Sequence, residues 1–242
     1  MIRVLRSIWI WTATAALILL WAPLLGIIRL SDPDPRRLRT GRWLRRLGRN
    51  IARVNPWRIH IAGREHLDPN QVYVIVSNHQ SLADIPVITH LRLDTKWLAK
   101  AELFRFPVVG WMLRMAGDIR VERSDLREGA KAQLRCARYL RQHCSVVFFP
   151  EGTRSRDGQV LPFKDGPFRL AIRERVRVLP LVVEGSRTAL PRNTWIFGPP
   201  SDIHLQILEP VSVDGWIRAG APALRDEVRR RMVDALDRVR AK

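Results

Sequence analysis

Two short stretches, residues 78–84 and 149–155, carry the side chains of this chain that are best suited to chemistry. The first reads Asn-His-Gln-Ser-Leu-Ala-Asp and places Asp84 five residues after His79, which is the minimal pairing of a general base with a carboxylate that orients it. The second reads Phe-Pro-Glu-Gly-Thr-Arg-Ser, and its carboxylate, guanidinium and hydroxyl groups suit a phosphate that lies beside a hydroxyl. Together they indicate a base near a phosphate-binding turn.

Spacing alone does not single out His79, since a histidine followed at five residues by an acid also occurs at residues 60–65 and 204–209. The context of His79 distinguishes it from both. Residues 72–76 form an apolar, β-rich run that predicts a buried strand, and residues 82–91 favour a helix. His79 is therefore predicted to lie in a turn between a strand and a helix, where open α/β sheets place their chemistry.

In this order and spacing, the two stretches resemble the glycerolipid acyltransferase family, and within it the enzymes that acylate 1-acylglycerol 3-phosphate (lysophosphatidic acid). Three further segments are similar to family blocks: Gly-Asp-Ile-Arg-Val-Glu-Arg at 117–123, Val-Leu-Pro-Leu-Val-Val-Glu-Gly at 178–185 and Phe-Lys-Asp-Gly at 163–166. The first has Glu122 where the family often has aspartate, and the second ends in Glu-Gly instead of the more usual proline-containing sequence. The resemblance covers roughly residues 57–200.

Acyl transfer from a thioester to an alcohol needs a group that takes the alcohol proton during attack. His79 is the candidate base. Asp84 is the candidate carboxylate that accepts the other ring N–H, fixes the tautomer and stabilises the imidazolium. No side-chain nucleophile is evidently paired with His79, so direct transfer without an acyl-enzyme is preferred. Ser77 and Ser81 are the alternative nucleophiles, and both also suit turn or helix capping.

The resemblance assigns acceptor recognition to the second stretch and to two neighbouring blocks. In the family, the matching Glu, Gly and Arg of the second stretch help to bind the glycerol phosphate acceptor, and arginine can grip a phosphate through two N–H groups. The candidate substrate-binding residues are therefore Arg123, Glu151, Gly152, Thr153, Arg154 and Lys164. No metal or prosthetic group is expected, and acyl-CoA or acyl carrier protein is the expected acyl donor.

The charge of the chain points to an anionic partner, since its 242 residues carry a formal net charge of +19. Nucleic acid is disfavoured, because only five of the 42 basic residues are lysine and no zinc-finger spacing, RNP-like aromatic motif or heptad-bearing basic region is present. An anionic membrane surface is the preferred partner. Cys136 and Cys144 lack a C-x-x-C spacing and are expected to be reduced.

Residues 8–28 carry no charge and are rich in Leu, Ile, Ala and Trp. As a helix they would be about 31 Å long, enough to cross a hydrocarbon core. Pro23 and Gly26 leave a kinked, re-entrant arrangement open, but a full span is preferred. Two arginines precede this segment and eight follow it between residues 29 and 49, so its C-terminal side is predicted to be cytoplasmic.

Apolar residues recur at helical spacing among those arginines, over residues 44–54. The pattern predicts a basic amphipathic helix that lies on anionic lipid, with a solvated linker helix as the alternative. We therefore divide the chain into an N-terminal membrane segment (residues 1–30), a basic amphipathic interfacial helix or linker (residues 31–56) and an acyltransferase domain (residues 57–242).

Within the third part, strand and helix patterns alternate. The predicted strands are residues 72–77, 96–99, 119–121, 145–149 and 178–183, and the predicted helices are residues 81–91, 101–116, 125–142, 166–174 and 222–240. The alternation predicts an α/β fold, in which a sheet is flanked by helices and preceded by an N-terminal membrane helix. An α+β tail formed by residues 203–208 and the last helix stays open.

The sequence thus predicts an acyltransferase of the inner (cytoplasmic) membrane whose catalytic domain lies on the cytoplasmic side. It is expected to acylate lysophosphatidic acid, a membrane lipid acceptor, to phosphatidic acid, with acyl carrier protein as an alternative donor and partner to acyl-CoA. Two other functions remain open. One is the same chemistry on another lysolipid, such as a lyso-ornithine lipid or a lysophospholipid. The other is a non-catalytic protein that binds anionic membranes.

Overall fold

The computed structural model describes residues 1–122, 125–217 and 220–241. Helices and strands alternate along most of the described chain. In chain order they are α1 (Ile2–Leu30), α2 (Leu38–Arg53), β1 (Trp57–Ala62), β2 (Val74–Ser77), α3 (Asp84–Ile88), β3 (Thr95–Lys100), α4 (Val109–Ala116), β4 (Ile119–Val121), α5 (Leu126–Arg141), β5 (Ser145–Phe148), α6 (Gly166–Glu174), β6 (Val178–Glu184), α7 (Ser186–Ala189), β7 (Ser201–Ile207) and α8 (Ala221–Arg240).

In the described residues, seven strands form one mixed sheet in the order β1–β7–β6–β2–β5–β3–β4. Strand β7 runs antiparallel to β6 and parallel to β1, and the other pairs are parallel. Val74 of β2 lies opposite Val146 of β5 and Val178 of β6. Because parallel strands share a carboxyl edge, the segments that follow β2 and β5 leave the sheet side by side.

Alternate residues of the central strands fill two apolar cores, one on each face of the sheet. On β2, Val74 and Val76 join the core under α5, α6 and α8, whereas Ile75 joins the core on the opposite face. Neighbouring strands β5 and β6 are almost wholly buried, as is usual where helices cover both faces of a parallel sheet. The expected α/β fold, a sheet flanked by helices and preceded by an apolar N-terminal helix, is therefore confirmed.

Among the described residues, α1 is the one helix long and apolar enough to cross a membrane, by length and composition alone. Its inner face is nonetheless packed on the protein near both ends. Ile10 lies against Phe197, and Leu25 lies against Leu44 and Met112. A helix that crossed the bilayer would carry these contacts into the hydrocarbon. The packing therefore favours the re-entrant arrangement, in which α1 lies along the domain, over the full span preferred from composition.

The predicted amphipathic helix corresponds to α2, which is packed between α1 and the sheet. Its apolar side chains Leu44 and Leu47 are buried, and the buried guanidinium of Arg45 forms an ion pair with the buried carboxylate of Asp118. A buried ion pair of this kind is costly to break, because one partner is then left as an unpaired buried charge. Residues 31–56 thus form part of the packed fold and are not a free linker.

Two predicted helices are shorter than expected, each for a local reason. The expected helix at 101–116 is divided into a 3₁₀ turn at Ala101–Arg105 and α4, because Pro107 cannot continue a helix. The expected helix at 81–91 is reduced to α3 and a following 3₁₀ turn, since the residues before α3 wrap around the Asp84 carboxylate instead.

Candidate active site

The turn between β2 and α3 is built around the carboxylate of Asp84. Its Oδ2 accepts three hydrogen bonds: from His79 Nδ1 at 2.7 Å, from the Gln80 backbone N–H at 2.8 Å and from the Ser81 backbone N–H at 2.9 Å. The side chain of Asp84 is fully buried. The five-residue spacing therefore has a structural reason, since the chain between the two residues must curve back so that one oxygen reaches all three donors.

The imidazole of His79 is held on two sides and open on a third. Asp84 bonds Nδ1, and the ring of Phe149 stacks on the imidazole with the centroids 4.0 Å apart and the planes 20° from parallel. Nε2 has no partner among the described residues, and the side chain is 13% exposed. A carboxylate at Nδ1 holds the proton on that nitrogen, so Nε2 is the nitrogen able to accept a proton from a bound molecule.

The second stretch is joined directly to the first. The two carboxylate oxygens of Glu151 accept hydrogen bonds from the backbone N–H of His79 at 2.7 Å and of Leu161 at 3.0 Å. The Ser155 backbone N–H donates to the His79 carbonyl at 2.8 Å. Burial raises the pKa of Glu151 to about 7. Glu151 thus fixes the backbone of the turn that carries His79, which is a different task from the acceptor contact that the resemblance implies.

Two arginines without carboxylate partners lie beside this turn. Arg154 is partly buried, and its pKa is lowered by burial and by nearby Arg192, while Asp84 acts in the opposite direction. Arg192 donates from Nη1 to the Arg154 carbonyl at 2.5 Å. Among the described residues neither guanidinium has an ion-pair partner. Paired cations of this kind are suited to an anion, and they lie within electrostatic reach of the His79–Asp84 pair.

Lys164 adds a third cation to the loop that follows β5. Gly152 has φ +73°, a conformation that glycine adopts without strain. A Cβ at this position would stand 3.2 Å from the Lys164 amino nitrogen, so the bare backbone lets the lysine lie across the turn. The hydroxyl-bearing Thr153 next to it is exposed. The structure thus brings the predicted Gly152, Arg154 and Lys164 onto one loop beside His79.

A cavity of about 350 Å³ adjoins the site through the ring of Phe149, which also stacks on the His79 imidazole. Its walls are largely apolar, and Lys164 stands at its edge. The apolar lining comprises Leu98, Val121, Phe148, Phe149 and Pro150. Arg123, predicted to bind phosphate, lies outside the described residues, although Glu122 and Asp125 on either side of it line this cavity.

The hydroxyl groups of both alternative nucleophiles already donate hydrogen bonds to backbone carbonyls. The hydroxyl of Ser77 donates to the Asn78 carbonyl at 3.0 Å, and that of Ser81 donates to the Leu190 carbonyl at 2.6 Å. Both side chains are buried. Asn78 exchanges two hydrogen bonds with the backbone of Val183 on β6, at 2.8 and 2.9 Å, so it anchors the turn to the sheet.

Sequence reasoning missed three contributors to the site. Arg192 follows a proline in a loop after α7, Phe149 looks like the end of a core strand, and Asn78 looks like a turn residue. No motif marks Arg192. The position of Phe149 one residue before Pro-Glu-Gly was the available signal that its ring lies at the boundary between the core and the site.

A family model described as Acyltransferase matches residues 58–184, which is more than half of the chain. The chain belongs to the acyltransferase family. This match, together with the 1-acyl-sn-glycerol-3-phosphate acyltransferases among its relatives, confirms the glycerolipid acyltransferase resemblance drawn from the motifs.

Individual members of this acyltransferase family show how far the likeness extends. The chain is 31% identical over 205 residues to a chloroplast 1-acyl-sn-glycerol-3-phosphate acyltransferase of Arabidopsis thaliana, covering 84% of this chain and 56% of that protein. It is 34% identical over 178 residues to the alpha enzyme of that name from Mus musculus, covering 73% of this chain and 62% of the mouse protein. The chain thus spans somewhat more than half the length of these relatives.

A solved acyltransferase structure matches almost the whole chain. It is the crystal structure of the 1-acyl-sn-glycerophosphate (LPA) acyltransferase PlsC from Thermotoga maritima, with a TM-score of 0.86 and 26% identity, covering 99% of this chain and 97% of that one. The match includes α1 and α2 together with the sheet. An apolar N-terminal helix in a family of lipid-synthesising enzymes indicates that this acyltransferase is associated with a membrane.

Proposed function

We propose that this protein transfers a fatty acyl group from a thioester donor to the free hydroxyl of lysophosphatidic acid, giving phosphatidic acid. The observation that carries the proposal is the His79–Asp84 pair, with Nε2 open, beside two arginines that have no acidic partner in the described part of the chain. A base alone would suit many reactions. A base next to a pair of cations suits an alcohol that carries a phosphate.

In the proposed reaction, the acceptor hydroxyl donates to Nε2 of His79. As its oxygen attacks the thioester carbonyl, the proton passes to Nε2 and Asp84 stabilises the resulting imidazolium. The tetrahedral intermediate then expels the thiolate of the donor, which takes the proton from the imidazolium. Because Ser77 and Ser81 donate to backbone carbonyls and are buried, direct transfer is favoured over an acyl-serine intermediate. The donor is acyl-CoA or acyl carrier protein.

Acceptor recognition falls to the loop after β5. Arg154 and Arg192 would hold the phosphate, with Lys164 alongside, and the neighbouring apolar cavity would take a hydrocarbon portion of a substrate. The carboxylate of Glu151 already accepts two backbone N–H groups, so we assign it to positioning His79. Thr153 and Arg123 stay predicted acceptor ligands.

Membrane placement fits a lipid acceptor. Exposed apolar side chains flank the packed helix α1: Leu82, three residues from His79, is 46% exposed, and Trp111 on α4 is 61% exposed. Both stand next to residues that pack on α1, namely Ala83 and Met112. We propose that this surface faces the lipid, so that the acceptor reaches His79 from within the membrane, and that the catalytic domain lies on the cytoplasmic side.

The test is a transfer assay with purified full-length protein, a labelled acyl donor and two acceptors, lysophosphatidic acid and a monoacylglycerol that lacks the phosphate. We expect diacylated product from lysophosphatidic acid, far less from monoacylglycerol, and none with His79→Ala. Equal use of both acceptors would refute the phosphate assignment and call for lyso-ornithine lipid as the next acceptor. Absence of product from every acceptor would favour the non-catalytic membrane protein.

A further inference from the structure

A second cavity, of about 670 Å³, lies along the outer edge of the sheet next to β4. Its walls come from the end of α1, the loop before α2, α4, β4 and α5. Six of its lining side chains are arginines: Arg29, Arg37, Arg114, Arg120, Arg135 and Arg138. The cavity is therefore larger and more basic than the one beside His79.

The positive charge of this cavity is not neutralised from within. Asp118 is the one acid among its described lining residues, and it already pairs with Arg45 and accepts from the Trp97 backbone N–H. The guanidinium groups of Arg120, Arg135 and Arg138 have no hydrogen-bond or ion-pair partner in the described part of the chain. Glu128 attracts Arg120 electrostatically, but its carboxylate already pairs with Lys131. Arg120, Arg135 and Arg138 are exposed, so water screens their mutual repulsion, and an anion that binds between them would remove what remains.

The other three arginines are oriented by the backbone, which leaves their charge in place. Arg29 donates to the Asp32 carbonyl at 2.8 Å, Arg37 donates to the Arg114 carbonyl at 2.5 Å, and Arg114 donates to the Phe104 carbonyl. A hydrogen bond to a carbonyl fixes a guanidinium without cancelling its charge. Arg29, Arg37 and Arg114 therefore form a rim that is held in place by hydrogen bonds. The other three arginines supply N–H groups that have no hydrogen-bond partner in the described residues.

This cavity is separate from the site around His79. Strand β4 is divided from β2 by β5 and β3, and three inter-strand spacings correspond to about 14 Å. None of the cavity's described lining residues belongs to 78–84 or 149–166. An anion held here would therefore not be the group that meets His79.

The rim of the cavity coincides with the boundary of the exposed apolar surface. Arg29 stands between Ile27, which is 65% exposed, and Leu30, which is 90% exposed. Arg114 lies one turn after Trp111, which is 61% exposed. If these apolar side chains enter the hydrocarbon, the arginines lie at the depth of the lipid phosphates, where basic side chains commonly reside.

We propose that this cavity binds the phosphate headgroup of an anionic membrane phospholipid, at a place distinct from the acyl-transfer site. The volume is within the range of small-ligand sites. Planar guanidinium groups match phosphate oxygens in pairs. The bound lipid would hold the β4 edge of the domain against the membrane surface and neutralise the arginine cluster.

The experiment compares two double variants of the full-length protein in an uncharged detergent. R135Q/R138Q removes two unpaired arginines of the cavity, and R177Q/R238Q removes two exposed arginines that lie elsewhere and also lack ion-pair partners in the described residues. The probes are dihexanoyl phosphatidylglycerol, dihexanoyl phosphatidylcholine and inorganic pyrophosphate, titrated by calorimetry. We expect wild type to prefer phosphatidylglycerol, R135Q/R138Q to bind it about 30-fold more weakly, and R177Q/R238Q to bind it like wild type.

Three results would overturn the proposal. Equal phosphatidylglycerol binding by wild type and R135Q/R138Q would show that the cavity does not hold the lipid. Equal weakening in both double variants would reveal a general charge effect. Pyrophosphate that binds as tightly as phosphatidylglycerol, and is lost in R135Q/R138Q, would mark a site for a soluble polyphosphate instead. Thermal unfolding of each variant is measured in parallel, and R120Q, at an exposed position, replaces the double variant if the latter does not fold.

Discussion

Replacing Asp84 by asparagine removes a charge from the proposed catalytic pair while leaving its geometry in place. The amide oxygen of asparagine can stand where Asp84 Oδ2 accepts from His79 Nδ1 and from the backbone N–H groups of Gln80 and Ser81. The new NH₂ group then takes the position of Oδ1, which has no partner in the described residues. The turn is therefore expected to keep its shape, so the substitution isolates the electrostatic contribution.

The magnitude follows from the distance and the burial. Two unit charges about 4 Å apart interact by about 4 kcal/mol at an effective dielectric constant near 20. The neutral hydrogen bond that asparagine retains returns about 1 kcal/mol. The imidazolium formed during transfer should therefore lose about 3 kcal/mol of stabilisation, and kcat should fall about 10²-fold. Removal of the base in His79→Ala should cost at least as much, within the range of roughly 10²–10⁴ for general-base catalysis.

The assay measures kcat and both KM values for lysophosphatidic acid and the acyl donor. Because the Asp84 side chain is fully buried and contacts His79, we expect kcat to fall while both KM values stay near those of wild type. Asp68→Asn is the matched control, since Asp68 is exposed and also accepts a backbone N–H, from Asn70 at 2.8 Å. A folded Asp84→Asn enzyme with the kcat of wild type would refute the assigned role of Asp84.

Three further predictions test the surroundings of this pair. Arg154→Lys keeps the charge but loses the planar fork, so the KM for lysophosphatidic acid should rise about tenfold with the donor KM unchanged; an equal rise for monoacylglycerol would contradict phosphate binding. Burial raises the pKa of Glu151 to about 7, so the folded state keeps a proton that the unfolded state loses above its ordinary pKa near 4.5. The free energy of unfolding of the wild type should therefore fall from pH 5 to pH 7. In denaturant unfolding Glu151→Gln should remove this pH dependence, and an unchanged pH dependence would disprove the assignment. Leu25→Ala should lower the free energy of unfolding by about 3 kcal/mol, because Leu25 is fully buried. Leu20 is 72% exposed, so Leu20→Ala should leave the free energy of unfolding nearly unchanged. Equal effects of the two substitutions would show that α1 is not packed on the domain.

Local sequence patterns were sufficient to predict the strand before His79 and the turn that carries it, because both rest on short-range preferences, whereas the helix predicted at 81–91 is shortened to α3 and a 3₁₀ turn. An apolar run gave β2, and an acid at the right spacing gave the turn. The contact between the two stretches was not available from the sequence. Glu151 follows β5 and accepts a hydrogen bond from the backbone N–H of His79, which follows β2. Local sequence does not show that β2 and β5 are neighbours, because that depends on the order of the strands in the sheet. From the sequence, Glu151 next to Arg154 is therefore interpreted as a substrate ligand, whereas in the structure both of its carboxylate oxygens accept backbone N–H groups.

The sequence also could not predict which arginines would be brought together, either beside His79 or in the cavity along β4. Composition predicts an anionic partner, and 37 arginines spread along the chain give no hint of which of them face one another. Folding pairs some with acids, as it does Arg45 with Asp118. It gathers others, beside His79 and along β4, that have no acidic partner among the described residues.

For the apolar helix α1, the sequence likewise could not predict which side chains would be buried against the domain. Residues 8–28 are apolar on every side, and such a helix fits either a bilayer or a protein interior. Ile10 and Leu25 are buried against the domain while Leu20 is exposed, which only the tertiary contacts distinguish. Hydropathy thus shows that α1 avoids water, and the tertiary contacts show which of its faces is covered by protein.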